Sequence, residues 1–250
     1  MKKGGNFRLF SLKSDIMEKA IFCWSGGKDS SLCLYEVLKS GEYKVAYLLT
    51  TLNENFKRIS MHGVQEALLE EQSRYIGIPL KKVYVKEGSN EEYERNMEKL
   101  LLEVKAEGIN NVIFGDILLE DLRQYRETNL AKVGMKAVFP LWQRNTDQLI
   151  KTFISLGFKT ITCCVNDDLG KAMVGAEIDS EFVDSLPGHV DPCGENGEFH
   201  TFCYDGPIFK SKIKFTKGEK VFKPLELRES DTNLNQLKTK GFWYCDLIPE

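Results

Sequence analysis

The sequence lacks any long apolar run, and this absence bears on where the chain works. No stretch among its 250 residues approaches the roughly 18–20 apolar residues that a membrane-spanning helix needs. Lys2 and Lys3 are not followed by an apolar segment, so no secretory signal peptide is expected. We therefore expect a cytoplasmic protein that has no membrane partner.

Paired cysteines and excess charge are lacking as well. The seven cysteines are an odd number, and no two of them stand in a Cys-x-x-Cys arrangement. Free thiols in a reducing compartment are therefore expected, rather than a disulfide framework. The formal net charge of -3 argues against a protein that binds nucleic acid through bulk electrostatics. What the chain does contain, 42% hydrophobic and 28% charged residues, is typical of a globular domain.

Short apolar runs alternate with helical patterns along the first part of the chain. The run Ala20–Trp24 predicts a buried strand that ends at a pair of glycines. Further strands are predicted at 45–50, 82–85, 112–114 and 137–139. Amphipathic helices are predicted at 30–39, 64–76, 93–104 and 119–133, each followed by a glycine that would stop it. Strands that alternate with helices of this length predict right-handed βαβ units and a parallel sheet.

The pattern changes in the last third of the chain. The alternation continues once more, with a helix at 146–156 and a strand at 160–165, before glycine, proline and aspartate become frequent. Lysine alternates with apolar residues at 212–215, which predicts a β-ribbon with one solvated face. The aromatic segment Gly241–Pro249 is expected to pack onto the body of the protein.

These patterns give the α/β fold class, with a parallel, Rossmann-like nucleotide-binding domain and a smaller C-terminal α+β domain. Three parts of the chain are expected. They are an N-terminal arm at 1–19, the nucleotide-binding domain at 20–142, and a substrate-binding domain at 143–250 that includes the packed C-terminal segment.

The run Ser25–Ser30, here called the phosphate loop, joins the first strand to the first helix. Gly26 and Gly27 would let backbone N–H groups approach an anion, and the helix N-terminus would add its positive dipole. Lys28 adds a positive charge, whereas Asp29 would either hold a metal ion or cap the helix. The spacing matches neither Walker A nor Gly-x-Gly-x-x-Gly. A plain glycine-rich turn would explain the glycines but not Lys28, so a phosphate site is predicted.

Two further clusters carry chemistry. Gly115-Asp116 follows the fourth strand, so it is expected at the ligand crevice, and Glu127 lies on the next helix. A solvated helix face is the alternative for Glu127. The run Asp191–Thr201 gathers two carboxylates, a histidine and a threonine among glycine, proline and cysteine in a stretch that is typical of a loop. An ordinary β-turn followed by a strand at 199–204 is the alternative there.

These motifs resemble known families. The phosphate loop, SGGKDS after a short apolar strand, resembles the PP-loop of the N-type ATP pyrophosphatases, which have the HUP fold of the adenine-nucleotide alpha-hydrolases. The run Gly194–Thr201 resembles the Gly-Glu-Gly-Gly-Glu-Tyr-Glu-Thr signature of the diphthine–ammonia ligase family, from which Asn196 and His200 depart. The same family is matched in order by Gly115-Asp116 with Glu127, Pro140-Leu141-Trp142 and Asp205-Gly206-Pro207.

The resemblance implies an enzyme that cleaves ATP to AMP and pyrophosphate, adenylates an acceptor carboxylate on a protein or small molecule, and forms an amide with ammonia. It implies ATP and Mg²⁺ as cofactors. The implied ATP-binding residues are Ser25, Gly26, Gly27, Lys28, Asp29, Ser30, His62, Gly115 and Asp116. The implied acceptor-binding residues are Glu127, Glu195, Gly197, Glu198 and Thr201. Catalytic roles fall to Lys28, Asp29 and Glu198, with Asp29 as the Mg²⁺ ligand.

The residues allow three other interpretations. His189, Cys193, His200 and Cys203 could bind zinc, although they lack a paired Cys-x-x-Cys geometry. A tRNA-modifying PP-loop enzyme could meet an RNA backbone through the lysine-rich segment 210–223, but alternation with apolar residues favours a solvated strand edge. A non-catalytic ATP or AMP sensor would keep the phosphate loop without needing Glu195, Glu198 and Thr201. A homo-oligomer is left open.

Overall fold

The computed structural model of the chain describes residues 17–59, 62–86, 90–225 and 240–250. Its first sheet has five parallel strands: β1 (Glu18–Cys23), β2 (Tyr43–Asn53), β3 (Leu80–Val85), β4 (Asn111–Ile113) and β5 (Lys136–Val138). The helices between them are α1 (Lys28–Ser40), α2 (Glu66–Ile76), α3 (Asn90–Ala106) and α4 (Glu120–Lys132). The predicted α/β class with a parallel sheet is confirmed.

Helices cover both faces of this sheet, and the strand sequences reflect that. Leu34 of α1 and Leu68 of α2 pack on one face, whereas Val104 of α3 and Leu130 of α4 pack on the other. Because both faces are buried, the central strand β1 is apolar at consecutive positions, as is usual in parallel sheets. Burial of both faces thus explains the unbroken run Ala20–Phe22, which is fully inaccessible.

The strand order in the sheet is β3-β2-β1-β4-β5. Strands β1 to β3 are therefore added toward one edge of the sheet, and β4 and β5 toward the other, so the order switches between β1 and β4. In open parallel sheets, this switch point leaves a crevice at the carboxyl ends of the two diverging strands, where ligands bind. The phosphate loop follows β1, and the loop with Gly115 and Asp116 follows β4, so both open onto this crevice. Helix α1 begins at Lys28, which places Lys28 and Asp29 in its first turn rather than ahead of it.

A second, antiparallel sheet has the strand order β7-β6-β9-β8. Its strands are β6 (Lys159–Asn166), β7 (Phe199–Asp205), β8 (Phe215–Pro224) and β9 (Gly241–Pro249). The helices of this part are α5 (Thr146–Ser155), α6 (Gly170–Met173) and α7 (Ser180–Asp184). The strand that seemed to continue the βα alternation, β6, instead pairs antiparallel with β7 and β9. An apolar strand that follows a helix can pair with strands of either direction. The sequence pattern therefore could not show that β6 belongs to a different sheet.

Two predictions for the end of the chain have different outcomes. The C-terminal segment packs onto the body as predicted, because β9 lies between β6 and β8. The predicted ribbon at 212–215 begins only at Phe215, although Ile213 is buried between exposed Lys212 and Lys214. The lysine alternation therefore marks the approach to β8, an edge strand of the described sheet, where lysines discourage unwanted strand pairing.

One hydrophobic core runs between the two sheets. Trp24 and Leu34 on the α1 side belong to the same buried cluster as Phe158, which directly precedes β6, and Phe202 of β7. The predicted boundary at 142/143 therefore separates two sheets that share a core, and it stays a prediction. Residues 1–16 of the predicted arm lie outside the described residues, and Glu18 and Lys19 belong to β1. No helix in the described part of the chain has the length and apolarity to cross a membrane.

Candidate active site

A cavity of about 610 Å³ lies at the carboxyl ends of β1 and β4. Most of the predicted site residues line it, namely Ser25, Gly27, Lys28, Asp29, Ser30, His62, Gly115, Asp116, Glu195, Gly197 and Thr201. Gly26, Glu127 and Glu198 are outside this lining. The fold therefore brings the phosphate loop, the β4 loop and the 191–201 loop together, although they are far apart in sequence.

Gly26 shapes the phosphate loop from behind. It has a φ of 75°, and a Cβ atom at this position would lie 2.6 Å from Oε1 of Gln72. Its carbonyl oxygen accepts hydrogen bonds from the backbone N–H of Cys203 (2.8 Å) and from Nε2 of Gln72 (2.9 Å). Gly26 thus faces α2 and β7 rather than the cavity, so its part in ATP binding would be to set the course of the backbone.

Lys28 is a buried cation with its own counter-ion. It is only 3% exposed, and its Nζ lies 2.7 Å from Oδ2 of Asp29 and 5.4 Å from the ring centroid of Phe199. Burial acts to lower the pKa of Lys28, but the Asp29 carboxylate, together with Cys193 and Glu195, raises the pKa above its ordinary value. Lys28 is therefore charged at neutral pH. Its backbone N–H donates to Oγ1 of Thr201 over 2.9 Å, which ties α1 to β7.

The two serines of the phosphate loop are held by the loop itself. The Ser25 hydroxyl donates to Oγ of Ser30 (3.1 Å), and the Ser30 hydroxyl donates to the carbonyl oxygen of Gly27 (3.0 Å). Oγ of Ser25 also accepts the N–H of Gly27 at 3.3 Å. These bonds keep both hydroxyls at the cavity, where they can turn toward a bound anion.

Gly115 and Asp116 contribute to the cavity in different ways. A Cβ atom at residue 115 would lie 3.1 Å from Cα of Ser30, so glycine lets the β4 loop pack directly on the first turn of α1. The Asp116 carboxylate forms an ion pair with Arg126, with Nε 2.8 Å from Oδ2 and a hydrogen bond from Nη2 to Oδ1 of 3.2 Å. Burial raises the pKa of Asp116, Arg126 opposes the rise, and Asp29 adds to it.

A pair of histidines forms one wall of the cavity. The rings of His62 and His200 stack with centroids 4.6 Å apart and planes 23° apart. Burial lowers the pKa of His62 to about 3 and that of His200 to about 4, and the nearby charge of Lys28 acts in the same direction. Both rings are therefore neutral at neutral pH. Ser60 and Met61, which directly precede His62, lie outside the described residues.

Glu198 organises the 191–201 loop from inside. It is 7% exposed, and its carboxylate accepts the backbone N–H groups of Asp191 (3.0 Å) and Asn196 (2.9 Å) and the side-chain amide of Asn196 (3.0 Å). Asp191 in turn accepts the N–H of Cys193 at 2.7 Å. The sequence suggested a catalytic role for Glu198, whereas the structure points its carboxylate into the loop rather than into the cavity.

Glu195 places its carboxyl group at the cavity, as a catalytic role for Glu198 would have required of that residue. Its side chain lines the cavity, and burial raises its pKa to about 8, with Asp29 adding to the rise and Lys28 opposing it. Both the protonated and the carboxylate form of Glu195 are therefore accessible near neutral pH. A cavity carboxyl with a raised pKa is typical of groups that exchange protons during catalysis.

Glu127 is placed away from the other predicted residues. Its exposed carboxylate accepts a hydrogen bond from Nε of Arg123 at 2.9 Å, and it does not line the cavity. The preceding residue, Arg126, faces the cavity instead. Consecutive helical residues point about 100° apart, so a choice between neighbouring positions decides which one reaches the site.

The zinc alternative is not supported among the described residues. There, no group of three or more His, Cys, Asp or Glu side chains is arranged to hold a metal ion. His189 pairs with Asp168, with 2.7 Å between Nε2 and Oδ2, while Cys193 and Cys203 are buried thiols. The four candidate zinc ligands thus do not form one site.

Sequence reasoning missed two residues that shape the site, Arg126 and Gln72. Arg126 lies on α4, where the many charged residues suggest a solvated surface, yet it lines the cavity and forms an ion pair with Asp116. Gln72 lies on a helix that is predicted from its apolar residues, and a single polar residue in that pattern does not indicate a functional site. A glutamine predicted to fall on the buried face was the available clue, because buried polar groups need partners.

Comparison with known proteins gives the family. The family model for the diphthamide synthase N-terminal domain matches residues 18–137, and that for the C-terminal domain matches residues 145–227. The mouse (Mus musculus) diphthine–ammonia ligase is 29% identical over 79% of this chain and 82% of its own length. The human (Homo sapiens) and zebrafish (Danio rerio) enzymes of that name are each 27% identical over 79% of this chain, and 82% and 86% of their own lengths. Since the matched segments span both sheets, the chain belongs to the diphthamide synthase, or diphthine–ammonia ligase, family.

Proposed function

We propose that this chain is an ATP-dependent ligase that forms an amide from an acceptor carboxylate and ammonia. In the first step, a carboxylate oxygen of the acceptor attacks the α-phosphorus of ATP, and the bond to the bridging oxygen of the β-phosphate breaks. Pyrophosphate leaves and an acyl-adenylate remains. In the second step, the ammonia nitrogen attacks the acyl carbon, AMP leaves, and the nitrogen loses a proton.

One observation carries this proposal. The phosphate loop and the 191–201 loop, which resemble an ATP-cleaving motif and an acceptor motif respectively, line the same cavity. They are also joined directly, because the Lys28 N–H donates to the Thr201 hydroxyl over 2.9 Å. An acyl-adenylate needs nucleotide and acceptor within bonding distance, and a shared cavity supplies that proximity.

The phosphate loop would stabilise the leaving pyrophosphate. Lys28, with its charge, and Ser25 and Ser30, with their hydroxyls, all line the cavity, and α1 begins there at Lys28. Fixed donors of this kind stabilise charge that develops in the transition state, usually the largest single contribution to such catalysis. Gly27 keeps this end free of a side chain, while Gly26 and Gly115 set the loop course.

The carboxylates of Asp29 and Asp116 suit a magnesium ion bound together with ATP. Mg²⁺ prefers carboxylate and phosphate oxygens and usually takes few protein ligands, and both carboxylates lie at the cavity. Each carboxylate is now paired with a cation, Asp29 with Lys28 and Asp116 with Arg126. When bound, the ion would neutralise charge on the phosphates. Lys28 and Arg126 would then be available to the phosphate oxygens.

Glu195 is the group that we assign to the amine. Because its pKa is raised to about 8, its carboxylate form is a better proton acceptor than an ordinary glutamate. It would receive the proton that the attacking nitrogen loses. Gly197, His200 and Thr201 would shape the acceptor side of the cavity, and His62 would contact ATP. Glu198 would hold the 191–201 loop in place, and Glu127 would contact an acceptor only outside the cavity.

The products of ATP test the proposal. The purified chain is incubated with [α-³²P]ATP, Mg²⁺, ammonium and a panel of carboxylate acceptors that begins with diphthine, the acceptor in the relatives' name. We expect labelled AMP and an equal amount of pyrophosphate, formed only when an acceptor is present. Labelled ADP would contradict the proposal.

Two other outcomes would favour the remaining function classes. Binding of ATP without turnover across the whole panel would indicate a nucleotide sensor. Copurifying tRNA, bound with an affinity that falls steeply as salt rises, would indicate a tRNA-modifying enzyme.

A further inference from the structure

Gln72 is a buried amide whose hydrogen-bonding groups all have partners. It lies on α2 and is 0% exposed, outside the set of residues that the sequence suggested for the site. Its Oε1 accepts the indole N–H of Trp24 at 2.8 Å. Its Nε2 donates to the carbonyl oxygens of Gly26 at 2.9 Å and Cys203 at 2.7 Å.

These partners belong to two segments that are far apart in sequence. Trp24 directly follows β1 and Gly26 lies in the phosphate loop, whereas Cys203 lies on β7 of the second sheet. The same two segments are also joined by the Cys203 N–H, which donates to the Gly26 carbonyl over 2.8 Å. The amide of Gln72 thus closes a network around Gly26, the residue whose positive φ turns the loop.

The orientation of this amide is fixed by its partners. One end meets a donor, Trp24, and the other end meets two acceptors, so only one of the two amide orientations satisfies all three bonds. Buried polar networks that are fully satisfied rigidify their surroundings and become costly when one member is wrong. The loop backbone between Trp24 and Lys28 is therefore held from behind by this side chain together with the Cys203 N–H.

We propose that Gln72 is a positioning residue that fixes the phosphate loop against β7 and thereby sets the site's affinity for ATP. This inference rests on the proposed function of the loop in binding ATP. The geometry also links the two halves of the site. Strand β7, which the amide joins to Gly26, carries His200 into the cavity and caps Lys28 with the Thr201 hydroxyl.

The substitution Gln72→Glu tests the proposal with almost no change in size. It replaces the donating NH₂ group by an oxygen that would face two carbonyl oxygens. The matched control is Gln65→Glu. The amide of Gln65, at the start of the same helix, likewise donates to two oxygens, Oδ1 of Asp246 (3.2 Å) and the carbonyl of Leu247 (3.1 Å), but it is outside the cavity.

ATP binding is measured by calorimetry with Mg²⁺ for the wild type and both variants. We expect Gln72→Glu to weaken binding about tenfold or more, the scale of an unsatisfied buried polar group. Where the wild type turns over, kcat should fall about 10²-fold, as for a displaced catalytic group. Gln65→Glu should bind ATP as the wild type does.

A second variant guards against misfolding. Gln72→Met keeps the volume, removes all three hydrogen bonds and is expected to weaken ATP binding less than Gln72→Glu. In a double-mutant cycle with Trp24→Phe, its effect should be non-additive, because each change removes the same bond.

Wild-type affinity for ATP in both Gln72 variants would overturn the proposal. Absence of AMP and pyrophosphate from the wild type would instead refute the ligase function, and leave this comparison of affinities valid.

Discussion

At the scale of single residues, the site is defined by how its charges are balanced. Lys28 and Arg126 each have an adjacent carboxylate, Asp29 and Asp116, while burial and neighbouring acids raise the pKa of Glu195. If ATP binds here with its metal ion as proposed, the phosphates would take the cations and the metal ion would take the carboxylates. Charge would then be rearranged on binding, rather than buried without a partner.

Lys28→Ala tests the contribution of the buried cation. We expect turnover to fall by roughly 10²–10³, the scale of removing one group that stabilises the transition state. The control is Lys39→Ala, an exposed lysine in the last turn of the same helix, which should leave turnover unchanged. Steady-state assay of pyrophosphate release measures both, and near-normal activity in Lys28→Ala would refute the assignment of the phosphate site.

The histidine pair predicts a pH dependence of stability. The pKa values of His62 and His200 in the folded protein, about 3 and about 4, lie below the value of roughly 6.5 for an unfolded histidine. The unfolded chain therefore binds more protons in between, so stability is fully present above pH ~6.5 and is lost as the pH falls toward 4. Thermal unfolding of His200→Gln should lose less Tm than the wild type over this range. Parallel pH profiles would contradict the prediction.

At the scale of elements, the sequence predicted most of the first sheet but not the pairing beyond it. The apolar run of β1 and the glycines after α1, α2 and α4 were sufficient, because burial on both faces and helix termination leave local signals. The antiparallel partners of β6 left no such signal. The sequence indicated Glu127 for the site, but Arg126 lines the cavity instead. Periodicity identifies the inward face of a helix only when that face is apolar, and α4 is largely polar.

The phosphate loop makes a prediction about glycine. Gly26→Ala would place a Cβ 2.6 Å from Oε1 of Gln72 at a φ of 75°, so the loop would have to move. Gly41→Ala shares the backbone strain, at a φ of 67°, but its Cβ would meet nothing within 4 Å. We expect both to lose roughly 1 kcal/mol of stability or more from strain, and only Gly26→Ala to lose ATP binding in calorimetry. Equal ATP affinities would argue against the packed loop.

The 191–201 loop makes a prediction about Glu198. If its carboxylate holds the loop, Glu198→Gln replaces one of the two accepting oxygens by an NH₂ donor that faces the backbone N–H of Asp191 or of Asn196. Stability should then fall by about 1–3 kcal/mol. Denaturant unfolding measures this loss. A catalytic Glu198 would instead leave stability unchanged while turnover disappeared, and that result would contradict the structural role. Glu195→Gln is the matched control, since its carboxyl lies in the cavity and should affect turnover more than stability.

At the scale of the whole molecule, two sheets with different architectures meet at one cavity. The parallel sheet supplies the switch-point crevice, and β7 of the antiparallel sheet closes it through Thr201, Cys203 and the buried network of Gln72. The shared hydrophobic core makes this arrangement rigid, so that loops far apart in sequence keep a common geometry. The sequence indicated the loops, but only the fold shows that they form one site.

The claim that the acceptor is adenylated can be tested by following an oxygen atom. The acceptor that supports AMP formation is labelled with ¹⁸O in its carboxylate and converted with ATP and ammonia. Because the carboxylate oxygen would form the bond to the α-phosphorus and leave with it, the account predicts one ¹⁸O atom in each AMP, detected by mass spectrometry. AMP without ¹⁸O, alongside amide product, would contradict it.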